Sequence, residues 1–362
     1  LHFPAFDLVD SFCNNFLFTN KQNKNINWLP DINLDDEIDI KFRSYQVDGI
    51  KWLAFLHHFH LNGILCDEMG LGKTLQTIMI LKFSYNLFIK KRIVQPNYRS
   101  IVICPSSLTS HWEYEINKFN KHNKVLHPLL YTGNKSERQS KLNQLLKVNQ
   151  NHVIWIMSYN TIRNDISLLK NIEWEYIILD EGHIVSNHKS MTFQAISSLM
   201  SKHRLILSGT PVQNKVLEIW SLFDFLMPGY LDDIKLFNKK YTKPIKNSMK
   251  LKNTKASRKA NGYKALKELH QKVLPFILRR KKSDVLKELP PKIIQDIFIP
   301  LSDIQKHLYL TISKNYDDKK YNYRNIIQNK QDKPHIFAHL QTLKKICSNP
   351  IDIIKMVNNV NQ

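Results

Sequence analysis

The sequence lacks a long hydrophobic segment and has few cysteines. No apolar run reaches the roughly 20 residues that a bilayer-spanning helix needs, so we expect no membrane anchor in these residues. The opening LHFPAFDLVD has neither a basic stretch nor an apolar core, and we expect no signal peptide there. The four cysteines lie far apart without a CxxC pair, which argues against a disulfide framework or a zinc site. Cys66 and Cys104 stand inside apolar runs and are predicted to be small buried hydrophobic residues.

Acidic residues are scarce relative to basic ones. The chain has 53 Lys and Arg residues against 31 Asp and Glu residues, which gives a net charge of +22. Such an excess favours a polyanionic partner, nucleic acid ahead of a membrane surface, although a codon bias toward Lys, Asn and Ile would also produce it. The segment 239–282 holds sixteen Lys or Arg residues and one acid, Glu268, and so contributes fifteen of the 22 net charges. This concentration indicates a surface that faces phosphates, with a solvated or disordered basic insertion as the alternative.

The hydrophobic pattern predicts an α/β fold. The composition, 43% hydrophobic and 23% charged, is that of an ordinary globular protein, and 362 residues allow two or three domains. Short apolar runs alternate with helical patterns such as 75–88 and 108–119, and these runs are 63–66, 100–104, 153–158, 176–181 and 204–209. Near-continuous hydrophobic strands separated by helices predict a parallel sheet covered by helices on both faces.

Changes in composition divide the chain into four segments. We predict an N-terminal adaptor at 1–40, the α/β lobe at 41–230, a basic helical insertion at 231–292, and a bridge at 293–362. The helical pattern that begins at residue 270 is predicted to end at Pro290, and 293–301 is predicted to be a strand that leads into a further helix.

The first strand ends in DEMGLGKT (67–74), and a long helical pattern follows. A strand, a glycine-containing loop and Lys-Thr at the start of a helix form an arrangement that cradles phosphates with backbone N–H groups. Lys73 would neutralise phosphate charge, and the Thr74 hydroxyl would coordinate Mg²⁺. We predict that ATP contacts Asp67, Glu68, Met69, Gly70, Leu71, Gly72, Lys73 and Thr74. The strict pattern has Gly where this chain has Asp67, and a plain turn that needs glycines is the alternative.

A second element is the acidic pair in YIILDEGH (176–183), at the predicted carboxyl end of a buried strand. Ligands bind at this end of the strands in α/β sheets. Asp180 would hold Mg²⁺, and Glu181 would orient and polarise the attacking water. Lys73, Asp180 and Glu181 are therefore the predicted catalytic residues. An acidic pair alone more often caps a helix, but the phosphate loop upstream favours the catalytic interpretation.

Two further segments indicate a function only in combination with the phosphate loop and the acidic pair. In LSGTPVQN (207–214), Ser208 and Thr210 are short hydroxyls that could report the state of the site through hydrogen bonds, although SGTP alone would be a turn. In FRSYQ (42–46), Gln46 could bond an adenine edge, and a surface Gln on an amphipathic helix is the alternative.

These elements, in this order, resemble the helicase-like motors of superfamily two, whose lobes have a RecA-like P-loop fold. The blocks that resemble the Swi/Snf family of double-stranded-DNA translocases are RSYQVDGIKWL (43–53), DEMGLGKTLQTI (67–78), ICPSSLTSHWEYE (103–115) and SGTPVQNKVLEIWSLFDFL (208–226). KVLPFILRRKKSDVLKELPPKIIQD (272–296) and the DEGH box are most similar to one branch, the TATA-binding-protein-associated ATPases, which remove TATA-binding protein from DNA.

The resemblance implies an ATP- and Mg²⁺-dependent nuclear ATPase that acts on double-stranded DNA. It assigns adenine to Gln46 and the coupling of nucleotide state to DNA to His183, Ser208 and Thr210. It assigns contacts with the DNA backbone to Pro105, Ser106, Ser107, Ser158, Tyr159 and Asn160. It also implies TATA-binding protein as a partner, through domains outside this chain, and no membrane.

The sequence departs from the family in two places. Ser186 stands where the family usually has Lys. HLQTLKKICSNP (339–350) resembles the entry to a second RecA-like lobe. Arg324 is the only arginine after Arg280, so we expect nothing in this sequence to take the part of the arginines that this lobe contributes. The chain begins with Leu1, and we expect it to be a piece of a longer protein, weak or inactive as an ATPase without the second lobe. The alternatives are a nucleosome-remodelling ATPase and a non-hydrolysing nucleotide- and DNA-binding scaffold.

Overall fold

The computed structural model describes residues 42–90, 98–120, 125–145, 152–209, 216–249, 256–288, 290, 293–325 and 336–351. The predicted adaptor at 1–40 therefore lies outside the described residues, as does Thr210. The chain divides into two compact units, Leu1–Leu289 and Pro290–Gln362, and each is described by itself. In the described residues, no helix has both the length and the apolar character needed to cross a membrane.

A seven-stranded sheet forms the centre of the first unit. Its strands are β1 (Gly63–Leu65), β2 (Arg99–Cys104), β3 (Leu126–Leu130), β4 (His152–Ser158), β5 (Glu173–Asp180), β6 (Met200–Leu207) and β7 (Ile277–Leu278). The order across the sheet is β3-β4-β2-β5-β6-β1-β7, and every neighbouring pair is parallel. The predicted α/β fold is confirmed, and all five predicted strands are present.

The strands at both edges of the sheet were not predicted. β3 has the sequence LHPLL, in which His127 and Pro128 interrupt the apolar run. β7 has only two residues and follows the basic helices, in a stretch where helix was predicted to continue to Pro290. That helix prediction is wrong, because the helix ends at Val273 and the chain then pairs with β1. The division into segments at 230 and 292 stays a prediction.

Helices follow most strands and pack on the sheet. In the first unit they are α1 (Ser44–His58), α2 (Lys73–Lys90), α3 (Thr109–Phe119), α4 (Lys135–Leu145), α5 (Tyr159–Leu169), α6 (Met191–Ser197), α7 (Val216–Leu226), α8 (Ile234–Phe237), α9 (Lys243–Met249), α10 (Ala256–Val273) and α11 (Lys282–Val285). Cys66 and Cys104 lie at the ends of strands and are fully buried, as predicted. Burial raises the pKa of each thiol to about 12, so both thiols stay protonated.

The second unit contains α12 (Asp303–Asn325) and α13 (Ile336–Ser348). The prediction of a strand at 293–301 is wrong, because the described residues 293–300 form neither strand nor helix. Their apolar side chains stay exposed, from 73% at Ile294 to 93% at Phe298. A segment rich in apolar β-branched residues forms a strand only where a neighbouring strand accepts the backbone hydrogen bonds, and the described part of this unit has none.

Two buried histidines make the stability of the first unit depend on pH. Burial lowers the pKa of His152 to about 3 and that of His203 to about 2, from an ordinary value of 6.5. Below about pH 6.5 the unfolded chain binds protons that the folded chain does not. The free energy of unfolding should therefore be highest above that pH and fall below it, by on the order of 1 kcal/mol per pH unit for each histidine.

His152→Gln should remove one of these two contributions. Urea unfolding of the wild-type chain and of this variant, each near neutral pH and at about pH 5, measures the effect. We expect the stability of the wild type to fall more steeply between the two conditions. An equal fall in both proteins would contradict the role of His152.

Candidate functional site

The predicted motifs all follow strands at the same edge of the sheet, the one formed by the carboxyl ends of the strands. Leu65 at the end of β1 pairs with Leu207 at the end of β6, which in turn pairs with Asp180 at the end of β5. On the other side of β5, Leu179 pairs with Ile103, one residue before β2 ends. The carboxyl ends of parallel strands form the ligand-binding edge of an open α/β sheet. The register thus brings the phosphate loop, the acidic pair and the SGT segment to that edge.

The phosphate loop, 67–74, connects β1 to α2. Gly70 and Gly72 have φ angles of +83° and +81°, a left-handed conformation that side chains rarely adopt. A Cβ at Gly72 would lie 2.6 Å from Nε2 of Gln46, so the predicted adenine residue lies directly against the loop. Leu71 is fully buried and anchors the loop, whereas Met69 is 62% exposed. The part of the loop next to the start of α2 is therefore formed by backbone atoms and glycines.

Lys73 and Thr74 form the first turn of α2. The Lys73 Nζ donates a hydrogen bond of 2.8 Å to the carbonyl oxygen of Asp67, so the side chain folds back over its own loop. The N-terminus of a helix carries unpaired N–H groups and a partial positive charge. An ammonium group, two glycines and a helix N-terminus together suit a phosphate group.

The departure from Gly at residue 67 has a structural explanation. The Asp67 carboxylate is fully buried and forms an ion pair with the Arg280 guanidinium, through two hydrogen bonds. Arg280 also donates to the side-chain oxygen of Gln76 at 2.8 Å and to the carbonyl oxygen of Tyr45. Sequence reasoning predicted Asp67 as an ATP contact, but its carboxylate is committed to Arg280. The backbone of Asp67 remains part of the loop.

The segment after β7 continues along the loop. Glu68 donates its N–H to the Arg280 carbonyl at 3.0 Å, and its carboxylate accepts the N–H of Lys282 at 2.7 Å. The Lys282 Nζ lies 3.3 Å from the position of a Cβ at Gly70. A second ammonium group therefore lies beside the phosphate loop. Its position could not be predicted from the sequence, because Lys282 is more than 200 residues downstream.

The acidic pair lies at the end of β5 in a tight turn. Glu181 has a φ of +52°, and a Cβ at the next residue, Gly182, would lie 2.3 Å from the Ile206 side chain. The turn therefore needs glycine at 182, and it directs Glu181 away from the strand. One oxygen of the Glu181 carboxylate lies 3.2 Å from Nδ1 of His183, which places two predicted site residues side by side.

Two aromatic residues hold Asp180, and the sequence analysis predicted this role for neither of them. The Trp112 Nε1 donates to the Asp180 carboxylate at 2.8 Å, and the Tyr159 hydroxyl donates to the Asp180 carbonyl at 2.7 Å. Tyr159 was predicted to contact DNA. Its side chain is only 6% exposed and is hydrogen-bonded to Asp180, and the contact of Tyr159 with DNA stays a prediction.

The other predicted nucleic-acid residues lie on the surface or cap a helix. Ser106, Ser107 and Asn160 are exposed, and Pro105 is half-buried. Ser158 accepts the N–H of Thr161 at 3.2 Å and so caps α5. These positions lie at or directly after the carboxyl ends of β2 and β4. The two strands are neighbours and pair along the whole of β2, from Arg99 to Cys104.

Ser208 lies inside the site, and its neighbour contacts the loop. Ser208 is 2% exposed, and its backbone N–H donates to the Leu65 carbonyl at 3.2 Å. A Cβ at Gly209 would be 3.4 Å from the Met69 side chain, so this segment touches the phosphate loop. The predicted coupling residue Thr210 follows directly but lies outside the described residues.

The residues present fit Mg-ATP. Among the described residues, each carboxylate oxygen of Asp180 accepts one hydrogen bond, Oδ2 from the Trp112 Nε1 and Oδ1 from the Glu181 N–H at 3.0 Å. A carboxylate oxygen has two lone-pair positions, so each retains one for a cation or its water. Mg²⁺ prefers oxygen ligands, and Asp180 and Thr74 would supply a carboxylate and a hydroxyl.

Comparison with known proteins shows the family and the relatives. A family model described as the SNF2-related domain matches residues 45–351. "TATA-binding protein-associated factor MOT1" of Saccharomyces cerevisiae is 45% identical over 321 residues, which are 86% of this chain and 17% of that protein. The human "TATA-binding protein-associated factor 172" is 42% identical, with the same coverage of 86% and 17%. The chain thus spans about a sixth of the length of these relatives.

Two further similarities extend the comparison. "ISWI chromatin-remodeling complex ATPase ISW1" of Saccharomyces cerevisiae is 36% identical over 86% of this chain and 25% of that protein. Among solved structures, "Sulfolobus solfataricus SWI2/SNF2 ATPase core in complex with dsDNA" has a TM-score of 0.56 and 31% identity. The match covers 86% of this chain and 59% of the solved chain.

Arg280→Leu should destabilise the first unit strongly. The substitution leaves the buried Asp67 carboxylate without its counter-ion, which costs about 3–5 kcal/mol in the free energy of unfolding. Urea unfolding measures the loss. Arg279→Leu is the matched control, because that neighbouring side chain is exposed and should cost less than about 1 kcal/mol. Equal losses in the two variants would contradict the role of the ion pair.

Proposed function

The chain belongs to the SNF2-related domain family, and we propose that it is the N-terminal motor lobe of an ATP-dependent double-stranded-DNA translocase that dissociates TATA-binding protein from DNA. The observation that carries the proposal is the convergence of the phosphate loop, the acidic pair and two surface segments at one sheet edge. TATA-binding protein as the protein that is removed is supported by 45% identity with a TATA-binding protein-associated factor.

The nucleotide half of the mechanism follows from the site residues. Bound Mg²⁺ would neutralise charge on the β- and γ-phosphates, held by Asp180 and Thr74. Lys73 would leave the Asp67 carbonyl and donate to phosphate oxygens. Glu181, beside His183, would orient the attacking water and accept its proton. Gln46, which lies against Gly72, would contact the adenine.

The DNA half rests on two surface segments, 105–107 and 158–160. The exposed side chains there are uncharged hydroxyl and amide groups, which suit hydrogen bonds to phosphate oxygens and carry no sequence information. The loops that contain them lie at the same sheet edge as the phosphate loop. DNA and nucleotide would thus bind to connected parts of one framework.

A basic surface on α9, on α10 and on the helical segment Asn238–Thr242 before α9 would supply most of the affinity for DNA. Tyr241 and Ile245 are buried beneath this surface. The exposed lysines of the surface are Lys239, Lys240, Lys243, Lys246, Lys259, Lys264 and Lys267. Lys240 forms an ion pair with Glu268, and the hydrogen bond to that carboxylate raises the pKa of Lys240 above its ordinary value. Among the described residues, none of the other six lysines forms an ion pair with an acidic side chain.

The same lobe would suit a nucleosome-remodelling ATPase, as the 36% identity with an ISWI-complex ATPase indicates. The higher identity with TATA-binding protein-associated factors favours the first client. A non-hydrolysing scaffold would not need Lys73, Asp180 and Glu181 together at the site. The similarity to a TATA-binding protein-associated factor and to the ATPase of a chromatin-remodelling complex supports a nuclear location.

Glu181→Gln should retain ATP binding and lose hydrolysis by about 100-fold or more, because it removes the base. In the full-length protein, the DNA-stimulated ATPase rate and the release of TATA-binding protein from labelled duplex DNA measure the effect. Wild type should release the protein on addition of ATP, and the variant should not. Lys73→Ala should instead lose ATP binding.

Glu173→Gln is the control for this experiment. Glu173 is exposed at the opposite end of the same strand, and its variant should behave as wild type. Normal hydrolysis by Glu181→Gln would refute the catalytic assignment. Hydrolysis by the wild type without release of TATA-binding protein would remove that client in favour of the nucleosome alternative.

Neutralising the basic surface should reduce the salt dependence of DNA binding. For Lys243→Gln with Lys246→Gln, the slope of log Kd against log salt concentration should fall by about 0.9 for each lost phosphate contact. Fluorescence anisotropy over a range of salt concentrations measures the slope. Lys170→Gln with Lys202→Gln is the control, since both lysines are exposed at the amino-terminal edge of the sheet. Equal slopes in the two variants would refute DNA binding by this surface.

A further inference from the structure

We infer that Trp112 and Tyr159 are positioning residues that connect the two DNA-facing segments to Asp180, so that duplex DNA and Mg-nucleotide strengthen each other's binding. The inference rests on the proposed function, because it takes Asp180 as the carboxylate of the nucleotide site. It also takes 105–107 and 158–160 as the segments that face DNA.

Asp180 is fixed by three hydrogen bonds. The Trp112 Nε1 donates to Oδ2 at 2.8 Å, and the N–H of Glu181 donates to Oδ1 at 3.0 Å. The Tyr159 hydroxyl donates to the backbone carbonyl at 2.7 Å. The direction of the carboxylate, and with it the position of any cation that it holds, therefore depends on both aromatic side chains.

Trp112 is rigidly connected to the first DNA-facing segment. Its side chain is 1% exposed, on α3, which begins at Thr109 directly after the turn Ser106–Leu108. The Thr109 hydroxyl donates to the Ser106 carbonyl at 3.0 Å and ties the turn to the helix. A small shift of Ser106 and Ser107 on binding a phosphate would move the first turns of α3 and the indole with them.

Tyr159 belongs to the second DNA-facing segment itself. It is the first residue of α5, between the cap Ser158 and the exposed Asn160. Its side chain points inward and reaches Asp180, while its two neighbours face the surface or the cap. Any movement of this helix end changes the position of the Tyr159 hydroxyl.

The hydrogen bond of Trp112 is not a general requirement for burying tryptophan in this sheet. Trp155 and Trp174 are equally buried, and their Nε1 atoms have no hydrogen-bond partner in the described structure. The fold therefore tolerates an unsatisfied indole N–H at two positions, whereas the indole above the acidic pair is directed at Asp180. This contrast also supplies a matched control.

The experiment measures coupling by binding, with the full-length protein. The Kd of a fluorescent, non-hydrolysable ATP analogue is determined in Mg²⁺ buffer with and without saturating duplex DNA. We expect DNA to tighten nucleotide binding by about fivefold or more in the wild type. Trp112→Phe and Tyr159→Phe should each reduce this ratio to less than about half of the wild-type value. Trp174→Phe, which removes an indole without removing a hydrogen bond, should leave the ratio unchanged.

Reciprocal measurements separate coupling from loss of either site. The Kd for DNA with and without the nucleotide must give the same ratio, since coupling is reciprocal at equilibrium. The affinity of Trp112→Phe for DNA alone should equal that of the wild type, because Trp112 lies outside both DNA-facing segments. A positioning role predicts this pattern, whereas general damage to the fold would weaken both ligands.

Each outcome decides between the two proposals. Wild-type ratios in both variants, or an equal loss in Trp174→Phe, would overturn the inference. A wild type that binds both ligands without coupling would also overturn it but leave the two sites in place. A wild type that binds neither ligand would refute the proposed function. If Trp112→Phe does not fold, Tyr159→Phe, which removes a single hydroxyl, decides the question.

Discussion

The buried ion pair between Asp67 and Arg280 is the constraint on which the site depends. A fully buried carboxylate needs a counter-ion, and the chain supplies it from a residue 213 positions downstream. The same guanidinium reaches α1 through the Tyr45 carbonyl and α2 through Gln76. One side chain thus joins the start of the phosphate loop, both neighbouring helices and the short strand β7. The loop cannot move away from β7 without leaving a charge buried and unpaired.

The central strands could be predicted because their signals are local. Each is a short, nearly continuous apolar run bounded by a helix pattern, and burial on both faces requires that composition. The edge strands were not predicted, because a strand at the edge of a sheet tolerates residues that a central strand does not. Pro128 within β3 breaks the apolar run, and the two residues of β7 are too few to show a period. The apolar composition of 293–301 led to a wrong strand prediction for a different reason, since composition cannot show whether a partner strand exists.

The same distinction applies to the site: residues with a local sequence signal were predictable, and contacts between residues far apart in the sequence were not. Gly70, Gly72 and the residues after them were predictable, because a phosphate loop needs glycine and a helix start in consecutive positions. The partners of these residues were not predictable. Arg280 reaches Asp67 from beyond the basic helices, and Trp112 reaches Asp180 across the sheet. Tyr159 was assigned to DNA together with Ser158 and Asn160, because the three resemble a family loop, but a helix start directs consecutive side chains to different sides.

Charge is distributed so that affinity for DNA and coupling to the nucleotide are separable. The two segments at the sheet edge expose serine and asparagine, which form hydrogen bonds but release few counter-ions. The lysines of α9 and α10 carry the charge, at a distance in sequence from the acidic pair. Lysines close to Asp180 and Glu181 would pair with those carboxylates and compete with Mg²⁺. In the proposed mechanism, uncharged contacts near the acidic pair would allow DNA to influence Asp180 through Trp112 and Tyr159 without adding charge to the site.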